Sequence, residues 1–320
     1  MDDDKGRVDA VGSEARAAIV VRRGVAAGSE ARGTAGPVEV PTRMLVDALL
    51  REDGTVDAGE LYDVAGALAM SDQQVRLCIK RLVAEGAFTH EGRGRKALLR
   101  ATAETVRSIA PDVEFVRYAF QQDTGLAPWD GTWHLAAFAV PEAARAARDA
   151  LREALVRLGG AVLQGGLYVS ANAWESYVED EARRLDVADR VTLLTSKDLR
   201  RGDLREPGAI ARELWPQHAI ADRYHRLTAV AGSRLERLND PAELSAPELL
   251  TIAVEIAAEF TRAMEPDPLL PPELLPRPWA GTQARRLVSR CWSLLRERER
   301  AGGTAGPRIF RLYEDVVESG

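Results

Sequence analysis

Residues 60–100 read ELYDVAGALAMSDQQVRLCIKRLVAEGAFTHEGRGRKALLR. The order predicts a helix, a tight turn, a second helix and a basic hairpin. Ser71 stands where it can N-cap the second helix, its hydroxyl taking a free backbone N–H of the first turn. Val75, Cys78, Ile79 and Leu82 then recur at three- and four-residue steps and make one apolar face. Gln73, Arg76 and Lys80 recur at the same steps on the opposite face. Gly86 ends the helix, because glycine tolerates a left-handed cap. Residues 87–91 and 96–100 can pair across Gly92-Arg93-Gly94-Arg95. Such a series is expected of a winged helix-turn-helix, which lays one helix in the DNA major groove.

Charge separates this reading from that of a plain solvated helix and hairpin. Between residues 72 and 100, Arg76, Lys80, Arg81, Arg93, Arg95, Lys96 and Arg100 stand against Asp72, Glu85 and Glu91, a net +4 in a chain of net charge −6. An acidic chain does not coat nucleic acid over its whole surface, but one basic module can grip one site.

Outward from this stretch, residues 41–50 predict the first helix of the module, with Met44, Leu45, Ala48 and Leu49 inward. Residues 60–70 bury Leu61, Val64, Ala65 and Leu68. Residues 104–110 read as a short helix or linker closed by Pro111. The first forty residues hold no aromatic side chain and bury too little apolar surface to offset ordering entropy, so residues 1–40 are expected to be a disordered tail. Arg22 and Arg23 make a DNA-contacting arm conceivable there; the short AAIVV run does not make a signal peptide.

In the middle, WDGTWHLAAFAV from Trp129 gives a turn and a strand over 132–140. A helix follows from Pro141 to Leu158, broken by Gly159-Gly160. AVLQ and LYVS make two short strands around Gly165-Gly166, a helix spans about 173–185, and RVTLL is a last strand. Strand-helix-strand-strand-helix-strand is the ferredoxin-like split βαβ order. Both helices cover one sheet face; the other must meet a neighbour, a second subunit or a ligand. Beyond Thr195 the chain turns helical, with candidates at 208–215, 218–238, 247–264 and 283–298. EPDPLLPPELLPRPWAG (265–281) carries too many prolines for a helix and is expected to strap across the domain. The fold class is α+β: a tail at 1–40, a winged helix-turn-helix at 41–110, a linker at 111–128, a ferredoxin-like domain at 129–197 and a helical domain at 198–320.

Composition narrows the function classes. At 320 residues the chain is long enough for two or three domains, each with its own core. With 46% apolar and 29% charged residues it reads as soluble and cytoplasmic, and no run reaches the ~20 apolar residues of a membrane span. Cys78 and Cys291 lie far apart and, with four histidines, form no disulfide framework or metal cluster. No G-x-S-x-G, H-E-x-x-H or Walker pattern occurs. Neither an enzyme nor a cofactor is expected.

Three pieces of the chain carry a family resemblance: SDQQVRLCIKRLVAEGAF with the GRGRK wing; WDGTWHLAAFAVPE with LREALVRLGGAVLQGGLYVSA; and DPLLPPELLPRPWAG. The last is similar to a long Asp-Pro-x-Leu-Pro-x-Glu-Leu-Leu-Pro-x-x-Trp-x-Gly signature. From about Pro41 onward the chain resembles the PaaX family of transcriptional repressors of phenylacetic acid degradation. The resemblance implies a winged helix, a Cas2-like ferredoxin fold and a helical C-terminal domain. It also implies a homodimer on a palindromic DNA operator, released by an acyl-CoA effector such as phenylacetyl-CoA. The chain departs from the family at Ala171, where proline is usual, and in having Arg262 alone before the Asp-Pro motif.

The expected DNA contacts are Gln73, Gln74 and Arg76 on base edges, since Gln suits adenine and Arg suits guanine. Ser71, Lys80 and Arg81 would meet phosphates, and Arg93, Arg95 and Lys96 would reach a phosphate or the minor groove from the wing. For the effector, Trp129, Trp133, His134 and Trp174 are candidates to sandwich an aromatic acyl group, with Arg117, Arg145 and Arg148 for phosphates. Core or interface packing is the plainer role for these tryptophans, as it is for Trp215, Tyr224 and Trp279. The alternative class, a Cas2-like metal-dependent nuclease, would need an acid at the end of the first middle strand, and Val140-Pro141 offers none.

Overall fold

Behind Pro41 the chain winds into α1 (Thr42–Ala48), and Leu45, Val46 and Leu49 are sealed from solvent. The computed structural model describes residues 37–109, 113–240, 242–301, 306, 307 and 309. The tail at 1–36, with its Arg22-Arg23 arm, lies outside the described residues. Residues 37–40 do not behave as tail: Val38 is buried against Val230 and Ala258, and the Glu39 carbonyl accepts the Arg262 guanidinium at 2.8 Å.

Strand β1 (Thr55–Asp57) leads into α2 (Ala58–Ala67), whose N-cap Asp57 accepts the Glu60 N–H at 2.9 Å. Helix α3 (Asp72–Ala84) starts after Ser71, as its hydroxyl predicts. Gly86, at φ +72°, turns the chain out of the helix. Strands β2 (Phe88–Glu91) and β3 (Leu98–Ala101) pair antiparallel with Phe88 opposite Ala101, and β1 joins the far edge of β3. A short α4 (Ala103–Ile109) follows.

The stretch expected to be a linker holds a helix, α5 (Val113–Asp123). Phe115, Val116 and Ala119 fall at helical spacing and are buried. Pro111 marks the end of one element and so masks the start of the next.

Strand β4 (Trp133–Phe138), α6 (Arg145–Arg157), β5 (Ala161–Gln164), β6 (Leu167–Ser170), α7 (Glu175–Arg184) and β7 (Val191–Ser196) form the middle unit. The strand order is β5-β6-β4-β7, antiparallel throughout. Leu151, Leu155, Trp174 and Val178 of the helical layer pack on Ala136 and Tyr168. The opposite face, with Trp133, Leu135 and Val169, is met by the chain itself. Ala211 of α8 (Pro207–Leu214), Trp215, and Leu270 and Leu274 of the proline segment cover it. Leu194 on the β7 edge stays exposed.

Helices α9 (Gln217–Asn239), α10 (Ala246–Met264) and α11 (Ala280–Ala301) form the C-terminal bundle. One apolar cluster runs from Leu45, Leu61, Phe88 and Leu99 into Ile256, Phe260 and Leu295. The expectation of a separate core for each domain therefore fails at this junction: α2 lies against α10 and the first module shares its core with the bundle. Among the described residues no helix is long and apolar enough to cross a membrane.

Candidate functional site

The α3 face opposite Val75 and Leu82 is open to solvent, and each polar side chain on it has a distinct fate. Ser71 and Gln74 close a capping box: the Ser71 hydroxyl accepts the Gln74 N–H at 3.3 Å, and Gln74 Oε1 accepts the Ser71 N–H at 2.8 Å. Gln74, expected to read a base, is held by the helix end; the Ser-x-x-Gln spacing was the signal for it. Arg76 Nε donates to the Asp72 carbonyl at 3.2 Å, and Arg81 pairs with Glu85 at 3.1 Å. Gln73 and Lys80 are exposed and free of side-chain partners among the described residues. Replacing Gln74 with alanine should lower stability by about 0.3–1.5 kcal/mol, read as a thermal shift. Glutamate at the same position should restore it.

The wing divides in the same way. A single tight turn at Gly94–Lys96 folds Arg95 back onto α2, where it pairs with Asp63 and lies 5.5 Å from the Tyr62 ring centroid. Arg95 is thus paired within the chain, although like Arg93 and Lys96 it stays exposed. Gly92, at φ +87°, is obligatory here, since a Cβ would meet the Lys96 carbonyl at 3.1 Å.

Behind this surface the proline segment makes a buried polar junction. Arg285 of α11 forks onto Asp123 at the end of α5, with Nε–Oδ2 at 2.6 Å and Nη2–Oδ1 at 2.7 Å. Its Nη1 donates to the Tyr224 hydroxyl at 2.9 Å, which in turn donates to Asp267. Burial, reinforced by the Asp267 charge, pushes the Tyr224 hydroxyl well above its ordinary range, so it remains a donor. Asp267 also accepts the Leu269 N–H at 2.8 Å, and the Leu269 carbonyl accepts Gln122 and Asn172 amides, each at 3.0 Å. Trp279 sits edge-on to Tyr224 at 6.1 Å. A Cβ on Gly281 would fall 2.5 Å from Trp279 Nε1. The Asp-Pro, Trp and Gly positions of the segment thus fasten α5, the middle sheet and the bundle at one point.

Two family descriptions match the chain. Residues 126–207 match the PaaX protein central Cas2-like domain, and residues 215–301 match the PaaX-like protein C-terminal domain. The chain belongs to the PaaX family. It is 25% identical over 244 residues to the transcriptional repressor PaaX of Escherichia coli (strain K12), covering 75% of this chain and 74% of that one. In fold it is similar to an uncharacterized protein of Mycobacterium tuberculosis, Rv0674, at TM-score 0.53 and 22% identity. That similarity covers 83% of this chain and 99% of the other.

The effector candidates suggested by the PaaX resemblance are not gathered into one place. Trp129 and Trp133 meet edge to face at 5.1 Å, and Trp133 stacks on Trp215 at 6.2 Å, all on the sheet face under the proline segment. Trp174 is fully buried on the other face, below the helices. His134 alternates with Trp133 along β4, so it points to the helical side and contacts Glu175 at 2.6 Å. Burial would raise the Glu175 carboxyl, but the hydrogen bond and charge of His134 and the backbone N–H groups of Glu175 and Trp174 hold it lower. Arg145 and Arg148 lie on α6 and pair with Glu142, while Arg117 lies on α5. Alternation along one strand separates Trp133 from His134, and that signal is already present in the predicted strand over 132–140. At the two departures from the PaaX pattern, Ala171 is buried, and Arg262 pairs with Glu259, which also takes a fork from Arg226 at 3.0–3.1 Å. Among the described residues, no three His, Cys, Asp or Glu side chains form a metal-holding group.

Proposed function

We propose that this chain is a transcriptional regulator that grips duplex DNA through a winged helix-turn-helix at residues 41–110. The observation that carries the reading is the composition of one surface. Helix α3 presents Gln73, Arg76 and Lys80 outward, and the hairpin beside it presents Arg93 and Lys96. That surface is basic in an acidic chain. The name of the Escherichia coli relative, a transcriptional repressor, supports the same reading and favours repression. The middle unit, with its split strand order, is read as ferredoxin-like, and the working form as a homodimer on a palindromic operator.

The effector is proposed to be an aromatic acyl-CoA, phenylacetyl-CoA foremost. Such a ligand acts by population shift: it favours a dimer whose two α3 helices stand off the ~34 Å spacing of successive major grooves. The polar junction supports this route, because α5 enters it from the DNA-side module and Asn172 enters it from the sheet.

Fluorescence anisotropy with duplexes from the chain's own upstream promoter and scrambled controls tests the reading. Arg76→Ala should cost about 1–3 kcal/mol on the specific duplex and little on the scrambled one. Lys96→Ala should weaken both alike and reduce the salt slope by about 1. If the wild type ignores every duplex at low salt, the DNA reading is wrong. Calorimetry with phenylacetyl-CoA tests the effector separately: absence of heat removes the ligand and leaves the DNA contact standing.

A further inference from the structure

One large apolar side chain stands out on the polar face of α3. Leu77 is 59% exposed at mid-helix, four residues after Gln73 and three before Lys80. The three fall on one ridge directly opposite buried Val75 and Leu82. A lone exposed leucine is ordinary on a protein surface. This one is distinguished by its neighbours. Gln74 is held in the capping box and Arg81 by Glu85, while Arg76, exposed with one bond to the Asp72 carbonyl, lies beside the ridge rather than on it. The outermost line of the helix is left with an amide, an isobutyl group and an ammonium, in that order.

We infer that Leu77 is a specificity-determining residue that packs on the C5-methyl group of a thymine. The inference rests on the proposed reading that α3 enters the major groove, and deepens it. The major groove displays one apolar feature to a side chain, the thymine methyl, while adenine offers the donor and acceptor that suit Gln73. Four helical residues rise about 6 Å, and base pairs in B-DNA stack about 3.4 Å apart. The thymine read by Leu77 therefore lies within one or two base pairs of the adenine read by Gln73. Lys80, one turn on, meets the flanking phosphate. The surrounding surface, net +4 over residues 72–100, is complementary to phosphate and matches duplex DNA as the occupant, and a contact between copies is an outcome of the test.

The test uses full-length protein and a duplex enriched by that protein from a random pool. Each thymine in turn is replaced by deoxyuridine, which lacks only the methyl, and affinities are read by anisotropy. In the wild type one such replacement per half-site should weaken binding about fourfold, the worth of one buried methyl. In Leu77→Ala the same replacement should have no effect. That variant should fold normally, since alanine favours an exposed helix position. The proposal is overturned if no deoxyuridine weakens the wild type, or if the penalty persists in Leu77→Ala. It is also overturned if Leu77→Ala changes the oligomer mass by light scattering and weakens all duplexes alike, which marks a contact between copies. Failure to enrich or bind any duplex removes the major-groove reading itself.

Discussion

Arg285→Met is expected to lower the unfolding free energy by about 3–5 kcal/mol, the range for breaking a buried ion pair from one side. Methionine roughly fills the space of the arginine stem but leaves Asp123 and Asp267 without their cation. Both carboxylates are nearly closed to solvent, at 9% and 6% side-chain exposure, so water cannot take over. Thr282 still reaches Asp123 at 2.6 Å and Tyr224 still reaches Asp267, but neither brings charge. Lysine at 285 should recover part of the loss, because a point cation cannot make the two-bond fork. Adding Asp123→Asn to Arg285→Met should cost far less than the two losses summed, since they remove one interaction. Urea unfolding followed by fluorescence reads all three variants. A loss under about 1 kcal/mol for Arg285→Met would mean that the junction is incidental to the fold.

Gly160→Ala comes second, at about 2–3 kcal/mol by overpacking. The added Cβ would sit 2.3 and 2.5 Å from two ring carbons of Trp174 and 2.8 Å from the Leu155 carbonyl oxygen. Neither neighbour can give way: the indole is fully buried between helix and sheet, and the carbonyl is backbone. Trp174→Phe removes the offending part of the ring at the cost of a cavity. In that background Gly160→Ala should cost clearly less, with the Leu155 carbonyl contact remaining, and the coupling between the two changes measures the ring contact. Gly160→Ala tolerated within about 0.5 kcal/mol in the wild type would refute it.

These sites differ in how far they could be read before folding. Ser71, Gly86 and the Gly92–Arg95 turn act on their immediate neighbours, so their roles stood in the local pattern. The Ser71-x-x-Gln74 cap is equally local, but the residue type of Gln74, which suits adenine, points to a base and so hides it. Helix α5 had its signal in Phe115, Val116 and Ala119, masked by proximity to Pro111. Trp133 and Trp174 looked like members of one cluster, although 41 positions separate them and the sheet lies between. No spacing relates Asp123 to Arg285 across 162 residues; only the approach of α5 to α11 joins them.

From its sequence this chain declares most of its helices, its hairpins, the strand-helix succession of the middle unit, and the basic stripe on α3. Each depends on periodicity, caps and turns within a few residues. Tertiary structure alone decides which arginines are free and which are tied, which tryptophans meet, and that the first module and the bundle share a core. Those outcomes depend on distances between side chains remote along the chain, and on the desolvation that makes a buried charge need its partner.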